Sequence, residues 1–131
     1  MVAAPPPSPP AVVRAWSRNL NANDNEAAAA LFARGARVIQ PGVDVRLTPQ
    51  LAVAFNASLP CGGRIVRLQR NGARVVATFV LTERPGHGCD GPGQKAAAVF
   101  TVRRGRIVRW QQIPVPAARD RTGMSLVVRS R

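Results

Sequence analysis

The sequence is poor in acidic residues and cysteines, and it contains no tyrosine and no long apolar segment. No apolar run approaches the roughly 18 residues of a membrane-spanning helix, so we predict no transmembrane segment. Two cysteines, Cys61 and Cys89, are too few for a disulfide scaffold and leave room for one bridge. Six Asp and Glu residues stand against 19 Lys and Arg. No pair of acids falls on an apolar strand face, which argues against catalysis by paired carboxylates.

What the chain does contain suits one basic globular domain. It has 131 residues, 46% of them hydrophobic, and a formal net charge of +13. Lys95 is the only lysine, so the arginine excess indicates coding bias as much as function. We expect non-specific, salt-sensitive contact with nucleic acid. No helix-turn-helix pattern, zinc-finger ligands or exposed pair of RNA-binding aromatics predicts specific recognition.

Composition divides the chain into three parts. Residues 1–10 form a Pro-rich leader, residues 11–114 the folded domain, and residues 115–131 a basic C-terminal tail in which residues 125–128 could add an edge strand. The leader lacks the basic region and long apolar core of a signal peptide. We therefore favour a cytoplasmic location, and an exported form with a processed leader stays open.

The N-terminal half predicts three helices and one short strand. Apolar residues recur at helical spacing over residues 11–20. A second helix over residues 24–34 is alanine-rich and ends at Gly35. A strand over residues 36–40 follows, and a Thr-Pro start predicts a third helix over residues 49–59.

The second half predicts an antiparallel meander. Its four strands cover residues 64–70, 73–83, 94–102 and 106–113. The last hairpin permits two registers. A two-residue turn would bury Arg109 beside Phe100, whereas a three-residue loop ending on Gly105 would bring Trp110 to that apolar face. We predict the second. The whole is an α+β, cystatin-like cone, with three N-terminal helices packed on a curved, mostly antiparallel sheet.

Two stretches carry a family resemblance. They are AVVRAWSRNLNANDNEAAAALFARGARVIQPG at residues 11–42 and GRIVRW at residues 105–110. Both resemble the nuclear transport factor 2-like superfamily, which includes SnoaL-like and ketosteroid isomerase-like proteins. The resemblance implies the cone fold and a small-molecule pocket, although one such fold serves many functions.

The isomerase residues do not carry over. In that enzyme a tyrosine on the first helix and an acid on a strand bind the oxyanion, and an aspartate moves the proton. Here Trp16, Ala98 and Gln40 stand at those positions. The resemblance therefore implies no isomerase proton shuttle and leaves catalysis open. In a cyclase-like enzyme, His87 or Asp90 would have to reach the cavity from its loop.

The predicted ligand pocket combines aromatic rings with amides. Its candidates are Trp16, Gln40, Phe55, Phe79, Ala98, Trp110 and Gln112. These residues either fill a core or bind a small hydrophobic ligand, and both interpretations stay open. In the second, buried Gln40 and Gln112 and the Trp16 indole N–H form the polar end of the pocket. We expect no cofactor.

The Gly-rich loop RPGHGCDGPG contains His87, Cys89 and Asp90. With Cys61 they make a Cys/His/Asp set whose spacing fits no zinc pattern, so we expect no metal. Cys61 lies at the same end of the predicted sheet as this loop. A Cys61–Cys89 bridge and two free thiols both stay open, because the redox compartment is not known.

An alternative function is a non-enzymatic module that forms a homodimer. Its interface would be the outer sheet face, which carries Val76, Thr78, Val80, Val99 and Thr101. An anion-attracting rim would lie at the turn end of the sheet, formed by Arg70, Arg74, Arg103, Arg104 and Arg106.

Overall fold

The structure, a computed structural model, describes residues 4–117. The helices are α1 (Pro9–Asn21), α2 (Asn25–Ala30) and α3 (Pro49–Ser58). The strands are β1 (Phe32–Gln40), β2 (Val43–Arg46), β3 (Gly62–Asn71), β4 (Arg74–Thr82), β5 (Lys95–Arg103) and β6 (Arg106–Ile113). No helix in this part of the chain is both long and apolar enough to cross a membrane. The tail strand predicted at residues 125–128 lies outside the described residues.

One six-stranded sheet has the order β2-β1-β6-β5-β4-β3. Strands β1 and β6 pair in parallel, and the four other pairs are antiparallel. The apolar side of α1, with Val12, Val13 and Trp16, packs against the inner face of β4 and β5. The predicted α+β class with a mostly antiparallel sheet is confirmed.

Helix α1 begins at Pro9, two residues before the predicted start at residue 11. Ser8 caps it, and its Oγ accepts a hydrogen bond from the Ala11 N–H at 3.3 Å. Pro9 and Pro10 occupy the first turn, where the missing N–H groups cost nothing and the fixed φ suits a helix. A proline pair that indicated extended chain therefore starts a helix.

Two elements near residue 35 differ from the prediction. Helix α2 ends at Ala30 instead of reaching residue 34, because Phe32 and Ala36 turn into the core as part of β1. Gly35, with φ of 78°, lies within that strand where the β1–β6 register shifts. Strand β2 was not predicted, since it has only four residues, all of them exposed.

The last hairpin has a two-residue turn and a bulge. Arg104 and Gly105 form the turn with φ of 53° and 76°, so the predicted three-residue loop is wrong. The register shifts beyond Thr101, which leaves Val108 as the extra residue. Trp110 therefore lies opposite Phe100, as predicted, but a β-bulge brings it there and not a three-residue loop.

A single ion pair joins β1 to β2. The Arg37 guanidinium donates to both oxygens of Asp44, at 2.7 and 2.6 Å. Arg37 holds the pKa of that carboxyl below its usual 3.8, with smaller contributions from Arg109 and Arg46.

We expect Asp44→Asn to lower stability slightly at neutral pH and not at strongly acidic pH. A carboxyl whose pKa is lowered by folding stabilises the protein above its unfolded pKa, and that contribution is lost as pH falls through the folded pKa. Thermal midpoints of both proteins at pH about 7 and about 2 measure this. A difference that grows on acidification would contradict it.

Candidate functional site

A pocket of about 240 Å³ lies between the inner sheet face and the segment that follows α3. The three exposed residues of its lining, Pro60, Asp90 and Gln112, lie at its opening. Its lining consists of Gln40, Leu59, Pro60, Cys61, Phe79, Leu81, Asp90, Ala96, Ala97, Ala98, Trp110 and Gln112. Ala96 and Ala98, on the inner face of β5, leave space that larger side chains would fill.

Trp110 is the largest residue of the lining. It is 6% exposed, and its ring lies 5.0 Å from that of Phe55 and 6.3 Å from that of Phe100. Its indole Nε1 is buried and has no acceptor among residues 4–117. A buried donor without an acceptor costs about 1–3 kcal/mol. Trp110 lines the pocket but this nitrogen is closed to solvent, so an oxygen atom in the pocket reaches the N–H only after a shift of the ring.

Two glutamines form the polar edge of the pocket. Gln40 Nε2 donates to Gln112 Oε1 at 3.4 Å, because the parallel β1–β6 pairing brings the ends of the two strands together. Gln112 is exposed and Gln40 half-buried, so these amides are not the buried pair that the sequence suggested. Amides at the opening keep hydrogen-bonding capacity for a ligand without the cost of burial.

Trp16 and Phe55 lie in the core, outside the pocket lining. The Trp16 Nε1 donates to Asn56 Oδ1 at 2.8 Å, and its ring packs 5.2 Å from Phe100 and 6.1 Å from Phe79. The Trp16 indole is therefore not the polar end of the pocket, and the buried indole N–H without a partner among residues 4–117 is that of Trp110. The other five candidates, Gln40, Phe79, Ala98, Trp110 and Gln112, all line the pocket.

Asn56 is a buried polar residue that sequence reasoning missed. Besides accepting from Trp16, it donates from Nδ2 to the Ala52 carbonyl at 2.8 Å. The sequence contains one indication of this role, because Asn56 is a polar residue next to Phe55 on the side of α3 that is buried. Its side chain satisfies the Trp16 indole, which leaves Trp110 as the unsatisfied one.

The structure joins Cys61 and Cys89 in a disulfide, with their Cα atoms 4.7 Å apart. The bond ties the start of β3 to the loop after β4 and holds the neighbouring Asp90 at the pocket. Asp90 is the only carboxylate of the lining. His87 is elsewhere: its ring nitrogens lie 3.0 Å from the Pro85 carbonyl and 3.1 Å from that of Ala57. Within residues 4–117, no three His, Cys, Asp or Glu side chains could hold a metal together.

Arg84 anchors the same loop from inside and was not predicted. It is 1% exposed, and its Nη1 donates to the carbonyls of Asn56 and Leu59, each at 2.7 Å. Its Nε donates to Asn23 Oδ1 at 2.8 Å, and its Nη2 to Asn25 Oδ1. Desolvation lowers the pKa of this guanidinium from its usual value. All four acceptors are neutral oxygens, so the ion is held by hydrogen bonds and by the C-terminal end of α3.

Solved structures with the same architecture come from several bacteria. A nuclear transport factor 2-like protein of unknown function from Cytophaga hutchinsonii aligns with a TM-score of 0.68 at 12% identity, over 86% of this chain and 93% of that one. A protein from Sinorhizobium meliloti, proposed to be a polyketide cyclase, aligns at 0.62 and 19% identity, over 78% and 93%. A Catenulispora acidiphila protein with a ketosteroid isomerase-like fold, in complex with trimethylamine, aligns at 0.63 and 18% identity, over 80% and 85%. At these identities the likeness shows the fold alone.

A family model covers most of the folded part. The model of the SnoaL-like domain matches residues 13–110, from the first helix to Trp110 of the last strand. No curated protein matches the chain. The fold, the order of its elements and this match agree with the resemblance in the sequence. The chain belongs to the SnoaL-like domain family of the nuclear transport factor 2-like superfamily.

Proposed function

We propose that this domain binds a small apolar molecule that carries a hydrogen-bond acceptor, in the pocket lined by Trp110. The observation that carries the proposal is the buried indole N–H of Trp110, which has no acceptor among the described residues. The surrounding lining is largely apolar, with amides at one edge. An apolar pocket with a few polar groups is the usual form of a small-molecule site.

The size of the pocket limits the ligand. Its volume of about 240 Å³ lies below the roughly 300 Å³ at which pockets for drug-sized ligands begin. It equals the liquid volume of about eight water molecules, at roughly 30 Å³ each. A compact ligand with a single ring and one carbonyl or hydroxyl oxygen fits this volume, with the oxygen toward Trp110 or the Gln40–Gln112 edge.

The proposal concerns binding. For acid–base chemistry on a bound ligand, the lining offers one candidate group, the carboxylate of Asp90. Asp90 is the only carboxylate among the lining residues, and it is exposed at the opening. The isomerase positions hold Trp16, Gln40 and Ala98, which cannot reproduce that enzyme's proton shuttle. Proton transfer on a bound ligand would therefore begin at Asp90, from the solvent side.

Trp110→Phe tests the acceptor contact, with Trp16→Phe as a control of the same chemistry. Paired single-ring ligands, with and without a carbonyl oxygen, are titrated by calorimetry. For Trp110→Phe we expect the carbonyl ligand to bind about fivefold more weakly, because one hydrogen bond of about 1 kcal/mol is lost. The ligand without oxygen should change little.

Trp16→Phe should lower stability and leave the preference for oxygen unchanged, since the Trp16 N–H already bonds to Asn56. Two results would contradict the proposal: equal preferences in wild type and Trp110→Phe, or no binding of either ligand class to the wild type.

A further inference from the structure

The outer face of the sheet carries a row of arginines that crosses five strands. Arg46 on β2 pairs with Arg37 on β1, and Arg37 with Arg109 on β6. Arg109 pairs with Thr101 on β5, which pairs with Arg74 on β4. Directly paired residues share a sheet face. We call Arg46, Arg37, Arg109 and Arg74 the arginine row.

Charge in the arginine row is poorly compensated. Like charges directly opposite each other on neighbouring strands are destabilising, and the row contains two such contacts, Arg46–Arg37 and Arg37–Arg109. Asp44 bonds to Arg37 at 2.6 Å. Among residues 4–117, this is the only ion pair, so the remaining row arginines have no carboxylate partner. A bound anion would remove this repulsion.

The arginine row borders a groove of about 520 Å³. Val99, Thr101 and Val108 form its floor, and Arg103 stands beside the row, with no acid in the lining. The bulge at Val108 adds an apolar side chain to this face. The groove thus combines guanidinium groups, which bind phosphate, with a floor that suits an uncharged sugar or base.

We propose that this groove binds the phosphodiester chain of single-stranded nucleic acid, with little preference for sequence. Neighbouring strands lie about 4.8 Å apart, so the arginine row spans about 19 Å from β2 to β4, long enough for several phosphates of one strand. Phosphates contact the row, and sugars and bases lie over Val99 and Val108. The three helices of residues 4–117 pack on the inner side of the sheet, so none of them is available on this face to enter a duplex groove.

A second copy of the chain is the competing occupant, because we predict a homodimer through this same face. Stacking two outer faces would bring two arginine rows together with only Asp44 of each copy to offset them. Charge complementarity therefore favours a polyanion.

A charge-matched pair of double variants separates the groove from the overall charge. Arg74→Gln/Arg109→Gln removes two exposed charges from the row, and Arg14→Gln/Arg18→Gln removes two from the exposed side of α1. Binding to a labelled oligothymidylate of about 12 nucleotides is followed by fluorescence anisotropy at several salt concentrations. We expect the row variant to bind about tenfold more weakly than the α1 variant. Its slope of log K against log salt should also be smaller, by about 1.4 for two lost phosphate contacts.

Equal losses in the two variants would overturn the proposal, since overall charge would then explain the binding. Tighter binding of the wild type to a polyglutamate of equal length would overturn it in favour of an acidic protein. Tighter binding to duplex than to single-stranded DNA, or a dimer that competes with the oligonucleotide, would do the same. Thermal midpoints check that both variants fold.

Discussion

Arg84→Ala is expected to lower the free energy of unfolding by about 3 kcal/mol, which corresponds to a fall of about 10 °C in Tm for a domain of this size. The guanidinium donates to the carbonyls of Asn56 and Leu59 and to the side chains of Asn23 and Asn25. Alanine would remove this donor from the buried Asn56 carbonyl and from three partly buried oxygens, and a buried polar group left unsatisfied costs about 1–3 kcal/mol. Urea denaturation followed by fluorescence of the two tryptophans measures the change.

Arg84→Lys distinguishes charge from geometry. Lysine keeps the positive charge, but its single ammonium group cannot reach four acceptors that suit a planar guanidinium. We expect it to recover less than half of the lost stability. Arg14→Ala, at an exposed position of α1, serves as the control and should change stability by less than about 0.5 kcal/mol. A loss from Arg84→Ala no larger than from Arg14→Ala would refute the anchoring role.

Removing the disulfide should have an effect of similar size. Cys61 and Cys89 are separated by 28 residues. Cross-linking a loop of this length lowers the entropy of the unfolded chain by an amount worth about 3.5 kcal/mol. We therefore expect Cys61→Ser/Cys89→Ser to unfold at lower urea concentration than the wild type, by about that free energy. The same variant should bind pocket ligands more weakly, because Cys61 lines the pocket and Asp90 follows Cys89.

Reductant supplies the matched control for this variant. Addition of a thiol to the unfolded wild type should bring its stability to that of the double variant, and the double variant should not respond. A wild type whose stability is the same with and without reductant would show that the bond does not contribute. Unchanged ligand affinity in the double variant would show that the pocket does not depend on the bond.

Elements with a strong periodic pattern could be predicted from the sequence. The inner-face positions of β4 and β5 are apolar throughout, and these faces, with Val75 and Phe100, are buried as expected. The edge strand β2 is short and exposed throughout, so only its pairing with β1 defines it. The boundary between α2 and β1 also depends on packing, since the helix stops where Phe32 enters the core.

The pocket was predictable in composition and less so in detail. Five candidates, among them Gln40 and Trp110, line it because strand alternation places them on the inner face. Sequence alone could not decide which indole is unsatisfied, since that depends on Asn56, 40 residues beyond Trp16. The burial of Arg84 could not be predicted for a related reason. In the sequence it does not differ from the other arginines, and only the folded chain brings its four acceptors together.

Strand β6 serves both proposed sites at once. Arg109 and Gln111 line the outer groove, while Trp110 and Gln112 line the inner pocket. The extra residue at Val108 sets which side chains face which way. If the strand kept Val108 but lost the bulge, Arg109 would pair with Phe100 and the two surfaces would be exchanged, turning the indole outward and an arginine into the core. For homologous chains, the presence of this bulge after the two-residue turn becomes a criterion by which to judge whether both properties are inherited together.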